Sequence, residues 1–503
     1  MSVSPSYEKY EYTAAGAQLR SQSIVECRLN DWSENKLLAV CPSVVLSGAE
    51  VVSGEIRYGG KLYFSVTAAA PDGTIIAAER GAEFSHKAEC DSAAPSQTAE
   101  VSLRVEKTET RREGRAVILS AIVTAEISLS VPSEITYLSG GEGIVCNFGP
   151  VRVRQIYTCS GSVELEEEFD TDYVGDVLLH SEQVCLTRVI AAGGCLDVSG
   201  EINLCVLAKR EGENDVVSYE RLIPFRAEIP CDEAVTGMPC EARVCITSVN
   251  LSCSCDEDKN RCRIFAQLVA EVRGRLYRSE EVVMPSDAFC IGRGCNVRRE
   301  TIAAEEPVCA FTASERVGGT AAIGGDIDYS CVLQASALSG AEIAAVVSDG
   351  EITAEGVLNA VVFYKDGEGA PCSVPVSLPF SFPIRCDRAH AGMRAEITAL
   401  ACGVSARQKK EGELEAEGAL KMYVTLFSSE KSEFVSEIEA GEEIRPSDCS
   451  ISVHMPSAGD TLWDTAKKLG KTPEEVQKAN PELKFPLTGG ERIVVYRKKE
   501  IAF

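Results

Sequence analysis

The sequence predicts a multidomain, mainly β protein: three β-rich repeats followed by a small α+β domain of βααβ order. Three observations predict it. Segments with apolar residues at alternate positions, bounded by Gly, Pro and Asp turns, dominate residues 1–445. Those segments recur with shared landmarks at a spacing of roughly 150 residues. Residues 450–499 then change in both charge and period. At 503 residues the chain is too long for one core, because single cores stop growing near ~250–300 residues. Division by about 150 residues per domain gives three to four domains.

The repeats justify themselves in order. Ser53-Gly54-Glu55-Ile56 returns as Ser199-Gly200-Glu201-Ile202 and more loosely as Glu355-Gly356-Val357-Leu358. Apolar or alternating runs follow at 62–66, 202–207 and 361–364, and each ends in a turn signal. The turns are Pro71-Asp72-Gly73, Glu211-Gly212-Glu213-Asn214-Asp215 and Lys365-Asp366-Gly367-Glu368-Gly369. A second strand then leads to Phe84, Pro224-Phe225 and Pro379-Phe380, so a hairpin is predicted three times. Gly237-Met238 returns as Gly392-Met393. A long strand pair comes next: 100–105 with 116–129, 243–251 with 263–272, and 394–404 with 413–427. Pro132-Ser133-Glu134, Pro285-Ser286-Asp287 and Pro446-Ser447-Asp448 close the units, since Pro disfavours strand continuation and Ser and Asp favour turns. The predicted units are 1–131 (core 37–128), 132–284 (core 181–275) and 285–445 (core 340–428).

The last stretch is a different object. From Ser450 onward there are nine Lys/Arg and seven Asp/Glu, a net charge of +2, which leaves −28 on the rest of the chain. Ile451 and Val453 alternate with polar neighbours as a short strand. Asp460 is placed to cap a helix carrying Leu462, Ala466 and Leu469 on one face, and Gly470 to end it. Thr472-Pro473-Glu474-Glu475 is a capping box with Pro at the first helical position. Val476 and Ala479 give the second helix its apolar face, Asn480-Pro481 stops it, and 492–496 form a final strand.

The Gly-anchored hairpin, the Pro-Phe, the Gly-Met and the strand pair resemble the SPOCS domain in three copies over residues 37–428, the first copy lacking the Pro before Phe84 and the Gly-Met. That domain belongs to proteins of spore coat assembly in Clostridia and their relatives. Residues 450–499 closely resemble a LysM domain, through Gly459-Asp460-Thr461-Leu462-Trp463, Ala466-Lys467-Lys468 and Ala479-Asn480-Pro481. The LysM resemblance implies a shallow groove between the loop before the first helix and the loop after the second, usually a site for N-acetylglucosamine-containing glycans. Carried over by position, its residues are Gly459, Asp460, Thr461, Leu462, Asn480, Pro481 and Leu483. The sequence departs from the family at Thr488-Gly489-Gly490, where Pro-Gly is usual, and at His454-Met455-Pro456. Trp463 falls where LysM domains more often pack the residue on the sheet, so its loss is expected to unfold the small domain.

Composition excludes several functions. With 50 Lys+Arg against 76 Asp+Glu, net −26, the chain repels nucleic acid and anionic lipid. The four histidines, His86, His180, His390 and His454, are scattered, so no His metal site is expected. The start Met1-Ser2-Val3-Ser4-Pro5 has no secretory pattern, and the longest apolar stretch, 116–125, is far below the ~20 residues of a membrane helix. Among 22 cysteines there is no Cys-x-x-Cys, and Cys253-Ser254-Cys255 reads as two small apolar side chains on one strand face, so reduced thiols in a cytosol are expected. Asp256-Glu257-Asp258-Lys259-Asn260 starts like a calcium loop but has Arg261 and Gln267 where Gly and Glu are needed. Glu166-Glu167-Glu168 reads as an exposed face, and Gly141-Glu142-Gly143 lacks the spacing of a dinucleotide loop.

No catalytic motif, metal or cofactor is therefore expected. Three SPOCS-like units ahead of one LysM domain resemble the SipL-like coat morphogenetic proteins. That resemblance implies a non-enzymatic scaffold at the forespore surface in the mother-cell cytoplasm. It implies docking through the LysM domain to the coat morphogenetic ATPase, stage IV sporulation protein A. The alternative is a cell-wall protein that binds peptidoglycan glycan.

Overall fold

The computed structural model describes residues 3–172, 174–210, 215–256, 261–323, 333–338, 340–410, 412–444 and 451–496. The third Pro-Ser-acid tripeptide, at 446–448, the turn residues 211–214 and the acid-rich stretch 257–260 lie outside them.

The first repeat contains β1 (Ser4–Leu29), β2 (Lys36–Val52), β3 (Glu55–Ala69), β4 (Ile75–Glu89), β5 (Thr98–Glu113) and β6 (Ala116–Glu142). They form two antiparallel sheets of order β2-β3-β4 and β1-β6-β5. The second repeat copies this topology with β7 (Ile144–Asp172), β8 (Val174–Ala192), β9 (Cys195–Arg210), β10 (Val216–Pro230), β11 (Cys240–Asp256) and β12 (Arg261–Cys290). The third uses β13 (Arg293–Ala322), β14 (Gln334–Ser336), β15 (Glu342–Ser348), β16 (Glu351–Lys365), β17 (Pro371–Arg385), β18 (Arg394–Lys410) and β19 (Glu413–Glu443). Here β14 and β15, both paired with β16, take the place of one strand. Side chains alternate across a strand, and the central strands β3, β9 and β16 turn one face inward. Leu62, Phe64 and Val66 of β3 meet Val117, Leu119 and Val123 of β6. Leu196, Ile202 and Leu204 meet Ile264, Leu268 and Val272 in the second repeat. Ile352, Leu358 and Val362 meet Leu414, Leu420 and Val424 in the third.

The predicted hairpins and strand pairs are present, with one correction to the landmarks. Gly54 corresponds to Gly194 and Gly350, not to Gly200 and Gly356. All three sit at positive φ, +81°, +84° and +79°. Each accepts from and donates to a Cys-Asp-x-Ala segment in the same way: Cys90 N–H to Gly54 and Gly54 N–H to Ala93, Cys231 and Ala234 about Gly194, Cys386 and Ala389 about Gly350. Gly200 and Gly356 match Gly60 instead. These three lie mid-strand, directly opposite Phe84, Phe225 and Phe380. The two Ser-Gly-Glu-Ile segments thus resemble each other while occupying different places in their repeats.

A second correction concerns the prolines. Strand β6 runs on through Pro132 and β12 through Pro285. Their neighbours β5 and β11 have already ended, at the pairs Thr98↔Ser130 and Cys240↔Leu276, so each strand has a free edge there, and a missing N–H is tolerated at an edge. The chain reverses further on, at Gly143 (φ +74°) and Gly292 (φ +70°).

Beyond Ser130, Leu276 and Phe427, strands β6, β12 and β19 pair only with β1, β7 and β13, the first strands of their own repeats, as two-stranded ribbons. Every ribbon skips one serine in its register, Ser139, Ser286 or Ser436, a β-bulge at one equivalent position. The three ribbons pack together. Tyr137, Met284 and Phe434, one from each repeat, share a buried cluster with Ile135, Val151, Val153 and Ile302. Arg154, 5% exposed, pairs with Glu306 of the next repeat at 2.8 Å. At the far end Leu38, Leu178 and Leu338 meet in a second shared cluster with Val216 and Phe363. The three repeats therefore surround an approximate threefold axis with apolar contacts at both ends.

The chain finishes with β20 (Ile451–His454), α1 (Leu462–Leu469), α2 (Pro473–Ala479) and β21 (Ile493–Tyr496), the strands paired antiparallel. Among the described residues, no helix is long and apolar enough to cross a membrane.

Candidate partner-binding groove

The lobe formed by the last four elements is built on four fully or nearly buried side chains, Ala466, Val476, Leu487 and Ile493. Helix α2 starts as the sequence predicts: Thr472 accepts from the Glu475 N–H, Glu475 returns a carboxylate, and Pro473 follows the cap. Helix α1 is capped one residue later than expected. Thr461, not Asp460, is the N-cap, and Asp464 completes its capping box. Gly470 ends α1 in the left-handed conformation, as predicted.

Asp460 has another task. Its carboxylate accepts from the Ser457 N–H at 3.0 Å and from Lys468 Nζ at 2.8 Å on both oxygens. The Lys468 ammonium, then the Ser457 N–H, hold this carboxyl below its ordinary range. Gly459, at φ +90°, donates to Leu487 C=O at 2.7 Å, and Leu487 returns an N–H to Asp460 C=O at 2.9 Å. The loops on either side of the helices are thus clasped through backbone. Asn480 is 8% exposed. Its amide nitrogen donates to Val476 C=O and Val494 C=O, and its oxygen accepts from Val494 N–H at 2.7 Å. This fastens α2 to β21. Leu483 is partly buried against the lobe's apolar cluster.

Of the seven expected groove residues, Leu462 and Pro481 line an open depression, together with Pro473, Glu474, Gln477 and Lys478 of α2. Gly459, Asp460, Thr461, Asn480 and Leu483 shape the lobe around it. Sequence reasoning missed the four α2 residues, although Glu474, Gln477 and Lys478 occupy the polar face opposite Val476. It also missed Glu491. In the Thr488-Gly489-Gly490 departure, the Glu491 carboxylate collects the N–H groups of Thr488, Gly489 and Gly490 at 2.8–2.9 Å, and the Thr488 N–H, then the Thr488 hydroxyl, do most to lower its pKa to about 2.

Two further placements concern the surface and the seat of the lobe. Ile451 and Val453 lie on the predicted short strand β20, and with Met455 make a row of exposed apolar side chains, 57%, 56% and 61% exposed. Trp463 spans a junction between the lobe and the β body. Its ring meets Phe289 of β12 edge-on, with centroids 5.2 Å apart. Its Nε1 donates to Asp287, which also accepts from Lys467 Nζ at 2.6–2.8 Å and from Arg299 at 2.7 Å. The lobe is therefore seated on the ribbon end of the second repeat by one face of α1, with α2 and β20 left outward.

Eight residues before β12 starts, Cys253 sits on β11 beside Cys255, and Cys255 is disulfide-bonded to Cys262 across the hairpin. This corrects the reading of Cys253 and Cys255 as two apolar side chains facing a core. The signal lay in cross-strand register, which C-x-C spacing alone does not reveal. The chain matches no known family model, no curated protein and no solved structure.

Proposed function

We propose that the chain is a non-enzymatic scaffold of spore coat or envelope assembly, with three SPOCS-like units as its body and a LysM-like lobe as its grip on a partner protein. The partner proposed is the coat morphogenetic ATPase, stage IV sporulation protein A, at the forespore surface. The observation that carries the reading is the seating of the lobe. One face is fixed to the body through Trp463, Lys467 and Asp287, while the lobe keeps an open depression at Leu462, Gln477 and Pro481 and exposed Ile451, Val453 and Met455. Contiguous exposed apolar side chains on a soluble surface mark contact sites. The −28 charge of the rest of the chain favours a partner with a basic face by electrostatic steering.

The glycan reading has less support. Asn480 spends its amide inside the lobe, and Asp460 is held by Lys468. The deciding experiment compares the full chain with Val453→Asp and Gln477→Ala variants. Capture of the partner ATPase by the full chain, weakened in both variants, supports the scaffold. Saturable retention on purified peptidoglycan, with no capture of the ATPase, overturns it. In sporulating cells, a fluorescent fusion lacking 450–503 is expected to lose its place around the forespore, and its persistence there counts against the lobe as the grip.

A further inference from the structure

We propose that Cys253, Cys255 and Cys262 form a binding site for one thiophilic metal ion of the Zn²⁺ class, which opens when the Cys255–Cys262 disulfide is reduced. Cys253 and Cys255 lie two apart on β11 and so project from the same face. Cys262 on β12 is directly opposite Cys255 in the register. The three sulfurs all lie within 4.8 Å of one another, and those of Cys253 and Cys255 are 3.6 Å apart. Three thiolates that share a tetrahedral ion at ~2.3 Å each stand about 3.7 Å apart. The Cys253–Cys255 pair already stands at that spacing, and opening the sulfur–sulfur bond leaves Cys262 within 4.8 Å to move to it.

The fold itself does not ask for these cysteines. Cys253 pairs with Ile264, and the corresponding pairs in the other repeats are Arg112 with Val117 and Gln408 with Leu414. A hairpin disulfide needs two cysteines, and here a third stands in contact. The site is also built on two sides. Cys262 is buried beside Ala208 and Val217, with Cys253 packed on that cluster, while Cys255 is exposed and leaves a path for the ion.

The chemistry balances with a dithiol reductant. Two electrons and two protons pass to the Cys255–Cys262 bond, which becomes two thiols, and the reductant closes its own disulfide. Zn²⁺ then binds three sulfurs, and their protons go to solvent. Soft thiolate ligands select Zn²⁺ or Cu⁺ over Mg²⁺ and Ca²⁺. Water or an outside ligand takes the remaining position, as in open zinc sites.

The test uses the full chain, reduced by a phosphine under argon and loaded with Zn²⁺ in the presence of a competing chelator. One retained Zn²⁺ per chain by native mass spectrometry is expected, with Cys253, Cys255 and Cys262 protected from alkylation. Co²⁺ in its place is expected to give sulfur-to-metal charge-transfer absorption. Cys253→Ser leaves the hairpin disulfide able to form, so folding is checked on its oxidised form. Its Zn²⁺ affinity is expected to fall by more than the roughly 10–100-fold that follows loss of a group merely supporting a ligand. No retained metal, or equal retention in the triple Cys→Ser chain, overturns the proposal.

Discussion

Trp463 Nε1 donates a hydrogen bond of 2.8 Å to the Asp287 carboxylate, 176 positions earlier in the chain. This bond, with Lys467 on the same carboxylate, joins the terminal lobe to the β body. Asp287→Ala removes the acceptor shared by Trp463, Lys467 and Arg299. Hydrogen bonds to a charged group contribute about 1.5–3 kcal/mol each, so the lobe is expected to leave its seat while keeping its own fold. Trp32 and Trp463 are the two tryptophans, so a Trp32→Phe background isolates the Trp463 fluorescence that reports the change. Unchanged emission and unchanged hydrogen exchange in α1 contradict the prediction.

The same carboxylate makes the seating depend on pH. Burial pushes the Asp287 pKa up, but the hydrogen bonds from Lys467 and Trp463 outweigh it and hold it below its ordinary value. A lowered carboxyl pKa adds stability that is present above the free value near ~3.9 and is lost as pH falls through the lower, seated value. Trp463 emission is expected to shift only below about pH 4. Asp287→Asn is expected to abolish that transition.

Trp463→Ala separates two views of the residue. The sequence places the ring in the small domain's own core, where loss would unfold it. In the structure the ring lies against Phe289, at the rim of the one cluster that Phe289 shares with Ala466, Val476, Leu487 and Ile493. The expected outcome is detachment with the helices intact, read as faster exchange at the α1 surface and unchanged protection in α2.

Gly200 is expected to tolerate no side chain. A Cβ there would stand 2.6 Å from the Phe225 ring and 2.7 Å from the Cys185 carbonyl oxygen. Gly200→Ala is expected to destabilise the second repeat by about 1–3 kcal/mol, the usual cost of overpacking. Gly48→Ala, where no atom lies within 4 Å, is the control. Urea midpoints for the two variants check the difference.

Met284→Ala tests the shared ribbon cluster. Met284 is fully buried between Tyr137 and Phe434, and a core Met→Ala typically costs about 2–5 kcal/mol. Because the cluster belongs to all three repeats, hydrogen exchange is expected to rise in β6, β12 and β19 together. A rise confined to β12 refutes the coupling.

The sequence made the sandwich interiors legible wherever one strand face was apolar, as at 202–207 and 413–427. It also gave the strand-helix-helix-strand order of the lobe, because Thr472-Pro473, Gly470 and the apolar stripes are local signals. The ribbons were not legible. Their burial comes from contacts between repeats, so Tyr137, Met284 and Phe434 share a position without sharing a residue type. The glycine landmarks misled by six residues, because Gly60 follows Gly59 and lacks the Ser-Gly-Glu flanks of Gly200. The seat for the lobe was hidden for the same reason as the ribbons: Asp287 and Phe289 meet Trp463 only once the repeats are assembled.

The shared bulge at Ser139, Ser286 and Ser436 has a consequence for stoichiometry. One position past it stand Gly140, Asp287 and Glu437, and two further on stand Glu142, Phe289 and Glu439. Only the middle copy offers an acid followed by an aromatic, so a body with near-equivalent sides has a single berth. Three identical subunits would have offered three. Within one polypeptide the acid and the aromatic fall in the second repeat alone, so the lobe is held on a single flank and the body has a distinct side.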